Sequence, residues 1–99
     1  EGNTPLSEAT CYGEAEIVKF LLQSGAHPNS RNRLGRTPLW RATYNGHEDI
    51  VKLLLENGAD PTIENHDGEP PGKYGTPGTK ALVAGWDRTL TAERQEDLK

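Results

Sequence analysis

Cysteine is almost missing from this chain: Cys11 stands alone in 99 residues, so no internal disulfide can form. No cluster of Cys and His offers a zinc site in its place, and a reducing, intracellular setting, most simply the cytoplasm, is the expectation. Apolar residues are scarce at 32%, which bounds the chain to one domain with an economical core. Long apolar runs are absent. The stretch Leu53, Leu54, Leu55 is far too short to span a bilayer, and the opening EGNTPL has neither the basic nor the apolar region of a secretory signal. Nor is there an excess of positive charge. A net charge of -4 and a pI near 5.3 argue against a general binder of nucleic acid or anionic membrane, both of which need a cationic surface.

What is present is a repeat. Shifted by 33, the chain falls on itself at Gly2/Gly35, Thr4/Thr37, Pro5/Pro38, Leu6/Leu39, Ala9/Ala42 and Gly13/Gly46. The register continues without a gap through Ile17/Ile50, Val18/Val51, Leu21/Leu54, Leu22/Leu55, Gly25/Gly58, Ala26/Ala59 and Pro28/Pro61. Each pair has a physical reading. Thr4 and Thr37 precede Pro5 and Pro38, placing a hydroxyl acceptor at an N-cap and a ring with fixed φ and no N–H at the first helical position. Leu6 and Ala9 then share a helix face, as do Leu39 and Ala42, until Gly13 and Gly46 stop a helix of about two turns. Ile17, Val18, Leu21 and Leu22, with their counterparts at 50, 51, 54 and 55, form the stripe of a second helix that ends at Gly25 and Gly58. The unit reads as helix, turn, helix, extended loop.

With these residues in view, GRTPLWRATYNGHEDIVKLLLENGADPTIE, residues 35–64, resembles an ankyrin repeat. The resemblance implies an all-α solenoid of stacked helix-turn-helix units with β-turn fingers: a truncated-start repeat over 1–31, a regular one over 32–64, and a degenerate capping repeat over 65–87. It also implies a non-enzymatic module that presents fingers and inner helices to a protein partner and needs no cofactor. Ser7 and Trp40 depart from the family, standing where relatives carry a histidine that bonds between neighbouring repeats.

The third unit decays after Gly68. Pro70 and Pro71 take the Thr-Pro slots, Gly72 replaces the leucine and Gly75 the alanine, so the stretch EPPGKYGTPG is expected to form at most one helical turn. A helical run over TKALVAGW, residues 79–86, is expected to seal the stack with Ala81, Leu82, Val83 and Trp86. The rest, 88–99, reads as a polar tail or surface helix, with Thr89 or Thr91 available as a cap. WDRTLT, residues 86–91, after an ankyrin pair and an atypical unit, is similar to the IQ motif and ankyrin repeat-containing proteins, although no IQ motif occurs.

Catalytic readings fail on spacing. His47-Glu48-Asp49 lacks the second histidine of a metalloprotease helix, Val51 standing in its place, and His27 and His66 sit on other units without a cysteine beside them. No metal ligand set emerges. Ser7, Ser24 and Ser30 lack an elbow motif, and a lone Cys11 without a base is an inert small residue.

Aligned on the family, the variable, partner-facing slots fall on Arg33, Leu34, Arg36, Tyr44, Asn45 and Glu64, with Glu1, Asn3, Cys11, Tyr12 and Arg31 in the first unit and His66, Asp67 and Glu69 in the third. Arg31, Arg33, Arg36 and Arg41 gather around one finger beside Tyr44 and Trp40, a composition common at interface hot spots and suited to an acidic partner segment. The alternative is a solvated turn of arginines with Trp40 packed between repeats. By resemblance, Asn29 is a candidate for asparaginyl hydroxylation. Two sound units and one damaged one make a marginal solenoid, which points to a segment of a longer chain or assembly. A rival role is therefore structural docking through the tail or the uncapped N-terminal face, and a third is a regulatory domain of an enzyme whose catalytic part lies outside this sequence.

Overall fold

Thr4 and Thr37 do cap helices. The Thr4 hydroxyl accepts from the Ser7 N–H at 3.1 Å and the Thr37 hydroxyl from the Trp40 N–H at 3.2 Å, opening α1 (Pro5–Cys11) and α3 (Pro38–Tyr44). The computed structural model describes residues 3–86 of the chain. Glu1, the polar segment 88–99 with its candidate caps Thr89 and Thr91, and most of the WDRTLT stretch lie outside the described residues.

The second helices are α2 (Ala15–Gln23) and α4 (Glu48–Glu56). Both end in the same hydrogen-bonded turn. Gly25, at φ 95°, donates to Leu22 O while Ala26 donates to Leu21 O, and Gly58, at φ 96°, donates to Leu55 O while Ala59 donates to Leu54 O. This paired closure uses the left-handed region that glycine enters without a Cβ penalty.

The inner layer is α1 against α3, and the outer layer is α2 against α4. Between them lie Leu6, Val18, Leu39, Ile50, Val51, Leu54 and Leu55, all buried. Each such leucine truncated to alanine costs about 2–5 kcal/mol, so a handful of side chains carries the fold.

The third unit keeps its outer helix and loses its inner one. Residues 71–75 form only a turn, closed by Lys73 N–H to Pro70 O at 3.2 Å and Gly75 N–H to Gly72 O at 3.1 Å. The last helix, α5 (Pro77–Ala84), packs on α4. Its bounds correct the expected run over 79–86. Thr76 and Pro77 repeat the Thr-Pro start, the Thr76 hydroxyl accepting from the Thr79 N–H at 3.3 Å, and Gly85 caps the end, leaving Trp86 beyond the helix but packed against the core. Leu82 and Val83 also pack there, as a sealing element requires, whereas Ala81 is exposed. Thr43 ties the unit on: its hydroxyl accepts from the Gly72 N–H at 3.0 Å and its carbonyl from the Thr79 hydroxyl at 3.2 Å.

At the other end the outcome is split. Leu6 and Ala9 are buried, α1 packing against both α2 and α3, but Ile17 is 46% exposed although its counterpart Ile50 is fully buried. The difference lies in the neighbours: α4 packs between α2 and α5, whereas α2 has only α4 as a second-helix neighbour among the described residues.

Candidate functional site

The fingers are built on two asparagines 33 residues apart. Asn32 Oδ1 accepts from the Leu34 and Arg36 N–H groups, both at 3.0 Å, and Asn65 Oδ1 accepts from Asp67 at 3.0 Å and Glu69 at 2.9 Å. Each side chain therefore holds a four-residue loop closed by its own backbone, Asn32 N–H to Arg36 O and Asn65 N–H to Glu69 O. Sequence reading passed over both. Their recurrence three residues before Gly35 and Gly68 was the signal available.

The fingers stack on one another. Asn32 Nδ2 donates to Asn3 Oδ1 at 3.1 Å, and the His66 N–H donates to Leu34 O at 3.0 Å. Gly35, at φ 79°, lies under His66 so closely that an added Cβ would stand 2.7 Å from the His66 nitrogen.

Several candidate partner residues turn out to bind their own neighbours. Arg31 donates from Nε to Gly35 O at 3.2 Å and from Nη2 to Glu64 O at 3.0 Å, which pins one hairpin to the next. Arg41 Nη1 donates to Ser7 Oγ at 3.2 Å, and Asn45 Nδ2 donates to Arg41 O at 2.8 Å at the end of α3. Asn29 donates to Gly58 O at 3.1 Å and accepts from the Asp60 N–H at 2.7 Å. His47 rests its ring on Gly13, with Nε2 3.4 Å from Cys11 O.

Glu69 is the most engaged of them. Its carboxylate accepts from Asn65 Nδ2 at 2.7 Å and from the Tyr74 hydroxyl, and pairs with Lys73 at 3.9 Å. The Tyr74 bond, then the Asn65 bond, then the charges of Lys73 and Arg36 hold this carboxyl below its ordinary range. The same bond pushes the Tyr74 phenol up.

What remains open to solvent is a corner of rings. Trp40 and Tyr44 stack with centroids 5.6 Å apart at 14°, and Tyr74 stands nearly perpendicular to both, at 6.3 Å from Trp40 and 6.5 Å from Tyr44. Trp40 is buried, so it forms the base, while Tyr44 and Tyr74 are each about half exposed, at 54% and 53%. The Arg36 guanidinium lies 4.3 Å over the Trp40 ring, and Lys73 5.6 Å from that of Tyr74. Arg36 Nε is buried without a hydrogen-bond acceptor. An N–H so placed costs about 1–3 kcal/mol, which stacking on Trp40 offsets by roughly 0.5–2 kcal/mol. Arg33, Leu34, His66 and Asp67 are exposed along the finger edges, and Tyr12, 72% exposed, lies at the end of α1.

Against known families, the model described as ankyrin repeats (3 copies) matches residues 1–65. The chain belongs to the ankyrin-repeat family. Proteins built from ankyrin repeats generally serve as interaction modules for other proteins. Against that background the two family departures acquire a structural meaning. Ser7 accepts the Arg41 bond, and Trp40 Nε1 donates to Glu69 O at 3.0 Å, so both slots still bond to the following unit, with different chemistry. The match ends at residue 65, before Tyr74, Lys73 and α5. One wall of the aromatic corner is thus contributed by the part of the chain beyond the recognised repeats.

Among the described residues, no helix is long and apolar enough to cross a membrane, and no three His, Cys, Asp or Glu side chains converge as a metal site.

Proposed function

We propose that this chain is a non-enzymatic, intracellular interaction module that binds a protein partner through its fingers and inner helices. The observation that carries the reading is the Tyr44–Tyr74 corner, which leaves two aromatic rings half exposed beside Arg36. Aromatic and arginine side chains supply most hot-spot energy at interfaces. Arg33, Leu34, Arg36, Tyr44 and His66 are the contact residues of this reading, with Tyr12 at its margin. Arg31, Arg41, Asn45, Glu64 and Glu69 take part mainly by holding the surface in shape. Arg33 and Arg36 favour a partner segment carrying acidic residues.

Affinity capture from cell extract with the natural chain and with a triple variant, Arg33→Ala, Arg36→Ala and Tyr44→Ala, tests this after circular dichroism shows equal folding. Proteins lost only by the variant support the inner face. An unchanged set contradicts it.

One observation favours a second surface. Ile17 and Phe20 are 46% and 66% exposed on α2, the helix that also gives Leu21 to a groove lined with Pro5, Leu6 and Ala26 and edged by Thr4, His27 and Ser30. Its volume of about 220 Å³ is below the ~300–1,000 Å³ of small-molecule pockets, so a packed protein element suits it better. A structural docking role would use this face, and the variant Ile17→Asp would abolish it while leaving inner-face capture intact.

For Asn29 we propose hydroxylation by an asparaginyl hydroxylase. Its exposed position supports access, although both polar ends of its amide are engaged by the next hairpin. A gain of one oxygen at this residue after incubation with the enzyme supports modification, and an unchanged mass rejects it.

A further inference from the structure

We propose that the corner formed by Trp40, Tyr44 and Tyr74 receives a proline of an extended partner segment, while Arg36 takes an aspartate or glutamate of the same segment about three residues away. The proposal deepens the inner-face reading and rests on it.

The shape comes first. Tyr44 has one ring face on Trp40 and stands at 77° to Tyr74, so the two exposed rings make a floor and a wall. A compact, flat aliphatic ring fits such an angle. Proline also brings no N–H that would be stranded against the rings, and it fixes the chain in polyproline II before binding, which lowers the entropy lost. Aromatic-lined grooves recognise such segments for these reasons.

The charges decide against a cationic guest. An aromatic corner alone would also suit an alkylated ammonium group. Here the ring faces already have cations of their own: Arg36 lies on Trp40 and Lys73 near Tyr74. The nearest carboxylate, Glu69, is occupied by Asn65, Tyr74 and Lys73. The Arg36 side chain, unlike its backbone, makes no hydrogen bond among the described residues, and its Nε is buried without an acceptor. A carboxylate of a partner is the group that pairs with the terminal nitrogens of this guanidinium, without needing access to the buried Nε.

The spacing follows from the distances. The guanidinium is 4.3 Å and the Tyr44 centroid 5.6 Å from the Trp40 centroid, so the two subsites lie within about 10 Å. Polyproline II advances ~3.1 Å per residue, which sets proline and acid two or three residues apart. Either chain direction satisfies this.

The test uses the ¹⁵N-labelled full chain and short acetylated, amidated peptides: Gly-Pro-Ala-Ala-Glu-Gly and its reversed order, then the same peptides with Glu→Gln, Pro→Ala or Glu→Lys. Titration of at least one parent peptide should shift the Trp40 indole N–H and the Tyr44 and Tyr74 amides. The Gln and Ala peptides should bind at least tenfold more weakly, the Lys peptide should not bind, and both Arg36→Gln and Tyr44→Ala chains should lose the response while retaining their fold. Absence of shifts with both parent orders, equal binding by the Gln or Ala peptides, or tighter binding by the Lys peptide overturns the proposal. Were capture by the Arg33, Arg36 and Tyr44 triple variant lost while no peptide moved these signals, the inner face would stand and this partner chemistry would fall.

Discussion

The indole of Trp40 donates to the backbone carbonyl of Glu69 at 3.0 Å, across the boundary between the second unit and the degenerate third. That carbonyl also accepts from the Asn65 N–H at 2.9 Å, so the finger loop and the inner helix share one acceptor. The exposed corner is consequently fixed from beneath by a partly buried contact.

Trp40→Phe keeps an aromatic base and removes the indole bond. Because Asn65 still satisfies the Glu69 carbonyl, the loss is that of one hydrogen bond without an orphaned partner, ~0.5–1.5 kcal/mol. Trp40→Ala removes the ring as well and costs about 3–5 kcal/mol. Urea denaturation should show a lower midpoint for Phe with unchanged slope, and little folded protein for Ala. Equal stability of the two variants would contradict the packing described.

The Glu69–Tyr74 bond should be visible at both ends of the pH range. Glu69 has its folded-state pKa lowered from 4.5, first by Tyr74 and then by Asn65, so its contribution is complete above that value and is lost as pH falls through the lower folded value. Tyr74 is raised from 10.0, chiefly by Glu69, so its contribution is complete below that value and is lost as pH rises through the higher folded one. Tyr74→Phe should flatten the alkaline limb and weaken the acid limb of melting temperature against pH. Identical profiles for the natural chain and the variant would remove the bond from the account.

Gly35 and Gly68 occupy matching finger positions at φ 79° and 77°, yet only Gly35 has another finger above it. An alanine at either position meets the left-handed penalty of ~1–2 kcal/mol. At Gly35 the new methyl also meets His66, whereas at Gly68 nothing lies within 4 Å. Gly35→Ala should therefore lower the melting temperature more than Gly68→Ala. The opposite order would mean that the fingers do not stack as described.

Asn29 braces the first hairpin to the second with one donated and one accepted bond, at 3.1 and 2.7 Å. Asn29→Ala should lose about 1 kcal/mol, a modest effect because the site is exposed. Asn29→Asp can keep only the acceptor half, and places a second carboxylate near Asp60. Chemical denaturation in low and high salt separates the two, since only the Asp variant should recover with salt.

Much of this fold was written locally. A Thr-Pro start and a glycine end are instructions a helix obeys within its own few residues, and their recurrence at 33 made the four helices of the first two units legible. The start of α5 was obscured because Thr76-Pro77 is surrounded by Gly72, Gly75 and Gly78, which read as breakers. Proline at the first helical position lacks only an N–H that would be unsatisfied there, and glycine in the first turn is tolerated. The site was less legible. Tyr74 falls in a segment with no repeat register, so its place beside Tyr44 is a tertiary fact. Arg31 and Glu69 were expected to face a partner, but their hydrogen bonds run to carbonyls and side chains of adjacent loops, which no spacing announces. Ile17 and Ile50 are the same letter in the same slot, but α4, which carries Ile50, has helices of both neighbouring units packed against it, α2 and α5.

The most direct test of the inner-face claim is site-specific photocrosslinking in cells, with p-benzoylphenylalanine placed at Tyr44 in one full-length chain and at Phe20 in another. Both side chains are exposed and aromatic, so the substitutions are matched, but they sit on opposite layers of the fold. Adducts to a protein partner from position 44 that Arg36→Gln diminishes are the predicted result. Adducts from position 20 alone would contradict the claim and place the contact on the outer helix.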